Sequence, residues 1–392
     1  MTKKIIAFAI LILLGLGAWF GYQYFEKKGI ERSVLSVLPE DAVYILKTNN
    51  LTDAWKETSE TNIWQHLIKT KDFEYLEAID TLLNKTLDNN QTAEIIFENR
   101  PVAMTAYMIS QKDYDFVYTI DLHQAKIVKK ALKQLLKTLN GYKVKSLKYQ
   151  KQSVYKLTDL EKPNTKIFVA ALDNILMVSF NYSLLQKIID QRHQTHWLQQ
   201  PAFTKINHKL NGGLIQFFFN YKQLPAFADL YFENAQTNTS EIARQLLLSG
   251  FDINHDDERI IMDGWTLTDS IPSYFNALLD VKPGRWSFDQ VMSDQAAIVT
   301  SVGFKNFNIF YQSLSDQYFG DDVQKKNAYR EQIKKLENYF SINLQQNLFD
   351  WIGQEISLAK IQSYQPNRPQ DLVLLIQTED IEAAQKGLDF IS

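Results

Sequence analysis

The chain has 392 residues, a mass of 45.6 kDa, and 42 basic against 45 acidic side chains, for a formal charge of −3. That length exceeds what one hydrophobic core usually serves, and 45% apolar with 22% charged residues excludes the disordered, collagen-like and low-complexity classes. The near balance of charge offers no broad positive field for nucleic acid, and the absence of cysteine removes disulfides, thiol nucleophiles, cysteine zinc sites and iron–sulfur clusters.

Lys3 and Lys4 precede an uncharged stretch over 5–25, long enough as a helix to cross a hydrocarbon core of ~30 Å. It ends in Trp19, Phe20, Tyr22, Tyr24 and Phe25, rings that prefer the headgroup level, before the charged run Glu26, Lys27, Lys28. Residues 1–30 therefore predict a transmembrane signal anchor. The competing reading is a cleaved signal peptide, with 5–14 as its apolar region and Gly15 and Gly17 at the cleavage site. Lys27, Lys28 and Arg32 rival Lys3 and Lys4, so orientation rests on the large part that follows, which is expected outside the cytoplasm. The expectation is a single-pass protein of a bacterial inner membrane, facing the periplasm.

After the anchor, 42–47 reads as a strand, Asn50 to Asp53 as a helix cap, and Trp55, Ile63, Trp64, Leu67 and Ile68 fall at helical spacing. A helix over 73–87 precedes two strands, 102–109 and 116–122, joined by the polar turn 111–115. Ile127, Val128, Ala131, Leu132, Leu135, Leu136 and Leu139 then line one helical face, which Asn140 and Gly141 terminate. Four short β runs at 142–150, 153–157, 166–171 and 175–180 predict an antiparallel meander. Helices over 183–190 and 203–210, a strand over 213–219, helices within 224–248 and a hairpin of 248–253 with 258–267 complete this part. Strands in sequence-adjacent groups, with helices between them, predict an α+β fold of antiparallel sheets with helices packed on one face.

A degenerate internal repeat is expected. Residues 38–45 (LPEDAVYI) match 292–299 (MSDQAAIV) at an offset of 254, and 115–120 (DFVYTI) match 371–376 (DLVLLI) at an offset of 256. The order of elements also recurs: a turn, a strand, a long helical stretch, a hairpin, and a helix starting at Gln124 or Asp380. Residues 36–140 and 290–392 thus read as copies of one module. The domain expectation is 36–284 as a first unit, comprising 36–140 plus the meander region 142–284, and 285–392 as a second, incomplete copy. Either the chain is a fragment or the second module closes its sheet differently.

The anchor, Leu38-Pro39-Glu40-Asp41-Ala42, Val281-Lys282-Pro283, the stretch from Ser301-Val302-Gly303-Phe304 to Phe307, and Trp351-Ile352-Gly353-Gln354-Glu355-Ile356 resemble the DUF3352 family in its Bacteroidota version. These motifs are structural rather than chemical. The resemblance implies an envelope location and this architecture, brings no catalytic residues, and makes the stop at Ser392 look like a truncation.

Candidate chemistry is sparse. Asp252, Asn254, Asp256 and Asp263 stand at EF-hand-like spacing, but Asp257 replaces the required glycine and strands flank it, so a hairpin turn is expected. His193 and His196 lack a third ligand and read as solvated helix-end side chains, and Asn211-Gly212-Gly213 reads as a helix stop rather than a phosphate cradle. Lys126, Lys129, Lys130, Lys133 and Lys137 read as a solvated helix face, with contact to anionic lipid as the alternative. The densest aromatic run, Phe217, Phe218, Phe219, Tyr221, Phe227, Tyr231 and Phe232, is the candidate apolar-ligand or partner surface, against a buried strand and helix face. No catalytic motif, metal site or cofactor is expected. The function read from the sequence is a non-enzymatic scaffold that binds an envelope protein, with binding of a lipid or other apolar ligand as the alternative, and an enzyme with carboxylates gathered in space as a third class.

Overall fold

The computed structural model describes residues 33–69, 100–122, 142–160, 163–164, 166–192, 194, 196–232, 235–256, 259–293, 295–362 and 370–391. The anchor over 5–25, the helix over 73–87 and the lysine-faced helix from Gln124 lie outside the described residues. Among the described residues, no helix is long and apolar enough to cross a membrane. The chain divides into two compact units, Met1–Leu267 and Thr268–Ser392.

The first unit contains β1 (Tyr44–Thr48), β2 (Val102–Ser110), β3 (Asp113–Asp121), β4 (Tyr142–Tyr149), β5 (Gln152–Asp159), β6 (Lys166–Leu172), β7 (Ile175–Ser179), β8 (Ile215–Asn220), β9 (Leu246–His255) and β10 (Ile260–Thr268). They form one sheet in the order β10-β9-β8-β1-β2-β3-β7-β6-β5-β4. The meander over 142–179 is present, but it runs back toward the start of the chain. Its last strand, β7, pairs antiparallel with β3, leaving β4 at the edge. Gln150 and Lys151, both at positive φ, make the tight turn between β4 and β5, whose twist matches that of the paired strands.

Helices α1 (Leu51–Ser59) and α2 (Asn62–Leu67) follow β1; α3 (Tyr182–Gln191), α4 (Pro201–Asn207), α5 (Leu224–Ala228) and α6 (Ala235–Gln245) come later. Asn50 caps α1 as expected, its side chain accepting from the N–H groups of Thr52 and Asp53 at 3.1 and 3.2 Å.

Helices cover both faces of this sheet, which corrects the expectation of one. Val102, Ile167, Val169, Leu176 and Val178 belong to a core containing Leu51 of α1, while Ala103, Phe168, Ala170, Ile175 and Met177 belong to a second core containing Ile188 of α3 and Ile206 of α4. Strands buried on both sides are apolar at consecutive positions, so β6 and β7 carry no alternation from which a single covered face is read.

The segment leading into β1 plugs the second core with Val34, Leu35, Val37 and Leu38. Pro39 bridges to His196, and Asn220 donates to the Glu40 and Ala42 carbonyls at 3.3 and 3.0 Å. Lys187 pairs with Asp41 and lies 4.9 Å from the centre of the Tyr107 ring. The Leu38-to-Ala42 motif is therefore a packing hub joining β1, β8 and α3.

The second unit contains β11 (Ala296–Gly303), β12 (Glu355–Gln362) and β13 (Gln370–Ile376) in one antiparallel sheet of that order. Its helices are α7 (Tyr274–Leu279), α8 (Phe307–Phe319), α9 (Val323–Phe340), α10 (Leu344–Asn347) and α11 (Ile381–Ile391). Here burial does alternate. Glu355, Ser357 and Ala359 are buried, whereas Ile298, Leu358, Leu372 and Leu374 on the opposite face are 59%, 46%, 70% and 60% exposed.

Candidate functional site

Strand β8 turns Phe217 and Phe219 to one face and Phe218 to the other, because successive strand side chains alternate. Phe218 is fully buried in the second core, 4.9 Å from the Phe203 ring. It is structural, and leaves the candidate surface. Phe217 and Phe219 stand beside Tyr44 because β8 pairs with β1, with Tyr44 opposite Phe219. Tyr44 contacts Phe217 at 5.8 Å and Phe116 at 6.3 Å, and Phe217 stacks on Phe251 of β9 at 6.5 Å.

Helix α5 lays Phe227 over this floor, 5.9 Å from Tyr44 and 5.4 Å from Tyr114. Tyr231 follows at 5.5 Å from Phe227, and its hydroxyl donates to that of Tyr114 at 3.2 Å. Tyr221 closes the other side, 5.2 Å from Phe219. Five of the seven expected residues, Phe217, Phe219, Tyr221, Phe227 and Tyr231, thus join one ring network; Phe232 is exposed beside it.

Residues outside the aromatic run complete the floor: Tyr44, Tyr114, Phe116, Tyr118 and Phe251. Tyr114, Phe116 and Tyr118 recur every second residue, a signal visible in the sequence, but only the sheet order sets them near β8. Edge-to-face contacts of this kind contribute about 0.5–1.5 kcal/mol each beyond area burial. Burial, with Asp115 nearby, holds the Tyr118 hydroxyl protonated well above its usual range, so it is a donor and not a base. Chemically, the face offers π surface and hydroxyl rims.

The carboxylates read as possible calcium ligands serve other ends. Asp252 is buried and accepts from the N–H groups of Asn211 and Gly213 at 2.7 and 2.9 Å and from the Gln216 amide at 3.2 Å. The 211–213 loop therefore does close around an anion, but that anion is this side chain. A Cβ on Gly213 would come within 2.7 Å of the Asp252 Cβ. Lys47 donates to Gln216 at 3.1 Å, and burial pulls its ammonium below the usual lysine range against the pull of Asp252. Asp256 binds the Arg259 backbone N–H at 2.7 Å and its guanidinium at 2.7 and 3.0 Å within the hairpin turn. His193 lies outside the described residues. His196 is buried rather than solvated, with Nε2 3.2 Å from the Arg192 carbonyl. Among the described residues, no three His, Asp or Glu side chains gather to hold a metal ion.

In the second unit the sequence motifs converge on one buried acid, Glu355. It accepts from the Ser287 N–H at 2.7 Å, the Ser287 hydroxyl at 2.9 Å and the Ser301 hydroxyl at 2.5 Å. Burial raises its affinity for a proton, but these bonds, with the Phe288 N–H, together outweigh burial and hold the carboxyl below its usual range. Phe304 N–H donates to the Gln354 carbonyl and Lys305 N–H to the Lys282 carbonyl, both at 2.8 Å. Gly284 sits so close that a Cβ there would lie 2.2 Å from the Gln354 carbonyl oxygen. An open groove of about 450 Å³ lined by Asp280, Asn308, Ile309, Gln312, Ser313 and Asp316 lies in the same unit. Its acids are engaged, Asp280 by Ser313 at 3.0 Å and Asp316 by Lys326 at 2.6 Å.

A family model described as a protein of unknown function, DUF3352, matches residues 105–391. No curated protein and no solved structure matches the chain.

Proposed function

The chain belongs to the DUF3352 family, and from that premise we propose that it is a membrane-anchored, non-enzymatic scaffold of the bacterial envelope whose folded part binds a protein partner. The observation that carries this reading is the aromatic face of the first unit. Its floor is anchored by the buried Phe116 and Tyr118, its other rings run from half-buried to the exposed Tyr231, and it is rimmed by the hydroxyls of Tyr114, Tyr221 and Tyr231. Rigid rings with polar tips are the side chains that dominate protein interfaces, because they bury much area at little entropic cost. Residues 5–25 supply the anchor in this reading, and the folded part faces the periplasm.

The test is affinity purification of the tagged, anchored protein from native membranes with crosslinking mass spectrometry. A stoichiometric protein crosslinked near 221–232, and lost on the double substitution Tyr231→Ala, Phe232→Ala, is the expected result. A chain that elutes alone, or a partner indifferent to both substitutions, contradicts it. The same apolar floor favours one other reading, a lipid or similar apolar ligand, which co-purifying lipid displaced by Phe227→Ala would establish instead.

We also read the two sheets as copies of one module, and their registers support this. Adding 254 to the pair Tyr44 and Ala106 gives Ile298 and Lys360, which are themselves paired. Adding 254 to Val102 and 256 to its partner Ile120 gives Ile356 and Ile376, also paired. The shifts of 254 and 256 come from the sequence matches at β1/β11 and β3/β13, and both pairings require the same shift of 254 for the middle strand. A single slipped residue would have broken that agreement and reversed every side chain.

A further inference from the structure

The segment that enters the first unit leaves little slack after the candidate span. Phe25 ends that span, and Val34 is already fully buried in the second core, with Leu35, Val37 and Leu38 buried beside it. The backbone here is tied down as well. The Trp197 N–H donates to the Leu38 carbonyl at 3.3 Å, the Tyr107 hydroxyl to the Pro39 carbonyl at 3.2 Å, and the Val43 N–H to the Ala106 carbonyl at 2.8 Å. Only 26–32 separate the span from this fixed segment, and even a fully extended chain covers at most about 30 Å between Phe25 and Ser33. In the anchored reading of the preceding section, on which this step rests, the first unit is therefore held close to the bilayer.

The tether and the aromatic face share one end of the large sheet. The entry segment joins β1 at Tyr44, itself a ring of the face, which stands opposite Phe219 of β8. Between Phe219 and Tyr221, Asn220 sends its side chain to the Glu40 and Ala42 carbonyls at 3.3 and 3.0 Å, so the strand that carries the face also clamps the tether. Tyr114, which braces Phe227 and Tyr231, starts β3 at this same end, because it pairs with Met108 while Tyr44 pairs with Ala106. The other end of the sheet lies farther off: β9 runs from Leu248, opposite Asn220, to the Asp256–Arg259 turn about 25 Å away. A face confined near the headgroups meets proteins of the same bilayer at a high effective concentration, whereas a soluble partner gains nothing from so short a tether.

We propose that the aromatic face is a membrane-proximal docking surface whose partner is an integral membrane protein, held through the part of that protein that emerges next to the bilayer. The rings offer that part π surface, and the hydroxyl rim offers it hydrogen bonds.

The cysteine-free sequence allows a single reactive thiol to be placed for the test. Lys222→Cys, at an exposed position beside Tyr221, leaves every ring of the face in place, and Ile260→Cys, also exposed, reports on the far end of the sheet. In the full chain in native membranes, a thiol-attached photocrosslinker at Lys222→Cys is expected to capture a polypeptide that stays with the membrane through an alkaline carbonate wash. Capture should be at least tenfold above that at Ile260→Cys. A rigid helical spacer of 30 residues, about 45 Å long, placed between Lys28 and Gly29 should cut that capture at least tenfold, while melting and membrane retention of the chain stay unchanged. Capture indifferent to the spacer, or equal capture at Ile260→Cys, would overturn the inference. A captured polypeptide that the wash releases would also overturn it, yet keep the scaffold reading with a soluble partner. No capture at either position overturns both readings, and a chain that itself leaves with the wash overturns the anchor on which both depend.

Discussion

The two sheets of this chain solve the same problem to different extents. In the first, β1, β2 and β3 sit in the interior of ten strands, with apolar side chains on both faces taken up by two cores. In the second, the described strands β11, β12 and β13 form a sheet of three, and one face leaves Ile298, Leu358, Leu372 and Leu374 exposed. In the module reading proposed above, Tyr44, Met104, Phe116 and Tyr118 take the places of those four residues, and in the first unit they form or flank the aromatic floor. An apolar strand face is thus packed in one unit and open in the other. Its chemistry stays apolar in both, which is costly to leave uncovered and informative where it is.

The contrast breaks most visibly in the cores. Phe218→Ala, which empties a fully buried site, is expected to destabilise the first unit by about 3–5 kcal/mol. Leu374→Ala on the open face should change the second unit by less than about 0.5 kcal/mol. Denaturant titration read by hydrogen exchange in each unit measures both, and similar losses at the two positions would erase the distinction.

Next in size is the acid that holds the second unit together. Glu355→Ala leaves the Ser287 N–H and two hydroxyls without their acceptor, a loss of about 3 kcal/mol. The pH dependence has a definite sign. The folded carboxyl lies below its unfolded value of about 4.3, so its contribution is complete above that value and is lost as pH falls through the folded one. The second unit should therefore lose stability in acid, and Glu355→Gln should flatten that part of the profile; an unchanged profile would deny Glu355 this role. Smaller than the Phe218 and Glu355 losses is that of Asn50→Ala, which removes the cap of α1 and should cost about 1 kcal/mol, read from the first unit's unfolding midpoint.

Local structure was largely legible in the sequence. The cap at Asn50, the hairpin of β2 and β3, the four meander strands and the hairpin of β9 and β10 are all set by turn residues and short-range patterning. The order of strands was not legible, because periodicity assigns a residue to a face but says nothing of its neighbour across the sheet. That β7 returns to β3 and β8 reaches β1 rests on contacts far apart in sequence. The same limit split the aromatic run: adjacency grouped Phe218 with Phe217 and Phe219, while the pleat sends it into the opposite core. Asp252 and the 211–213 loop, each read separately as unremarkable, are partners across 39 to 41 residues, which no local motif encodes.

Hydrogen–deuterium exchange on the full chain tests the comparison most directly. Amides over 167–178 should exchange slowly, whereas those over 370–376 should exchange at least tenfold faster. Exchange over 370–376 as slow as over 167–178 would contradict a second sheet that keeps one apolar face open.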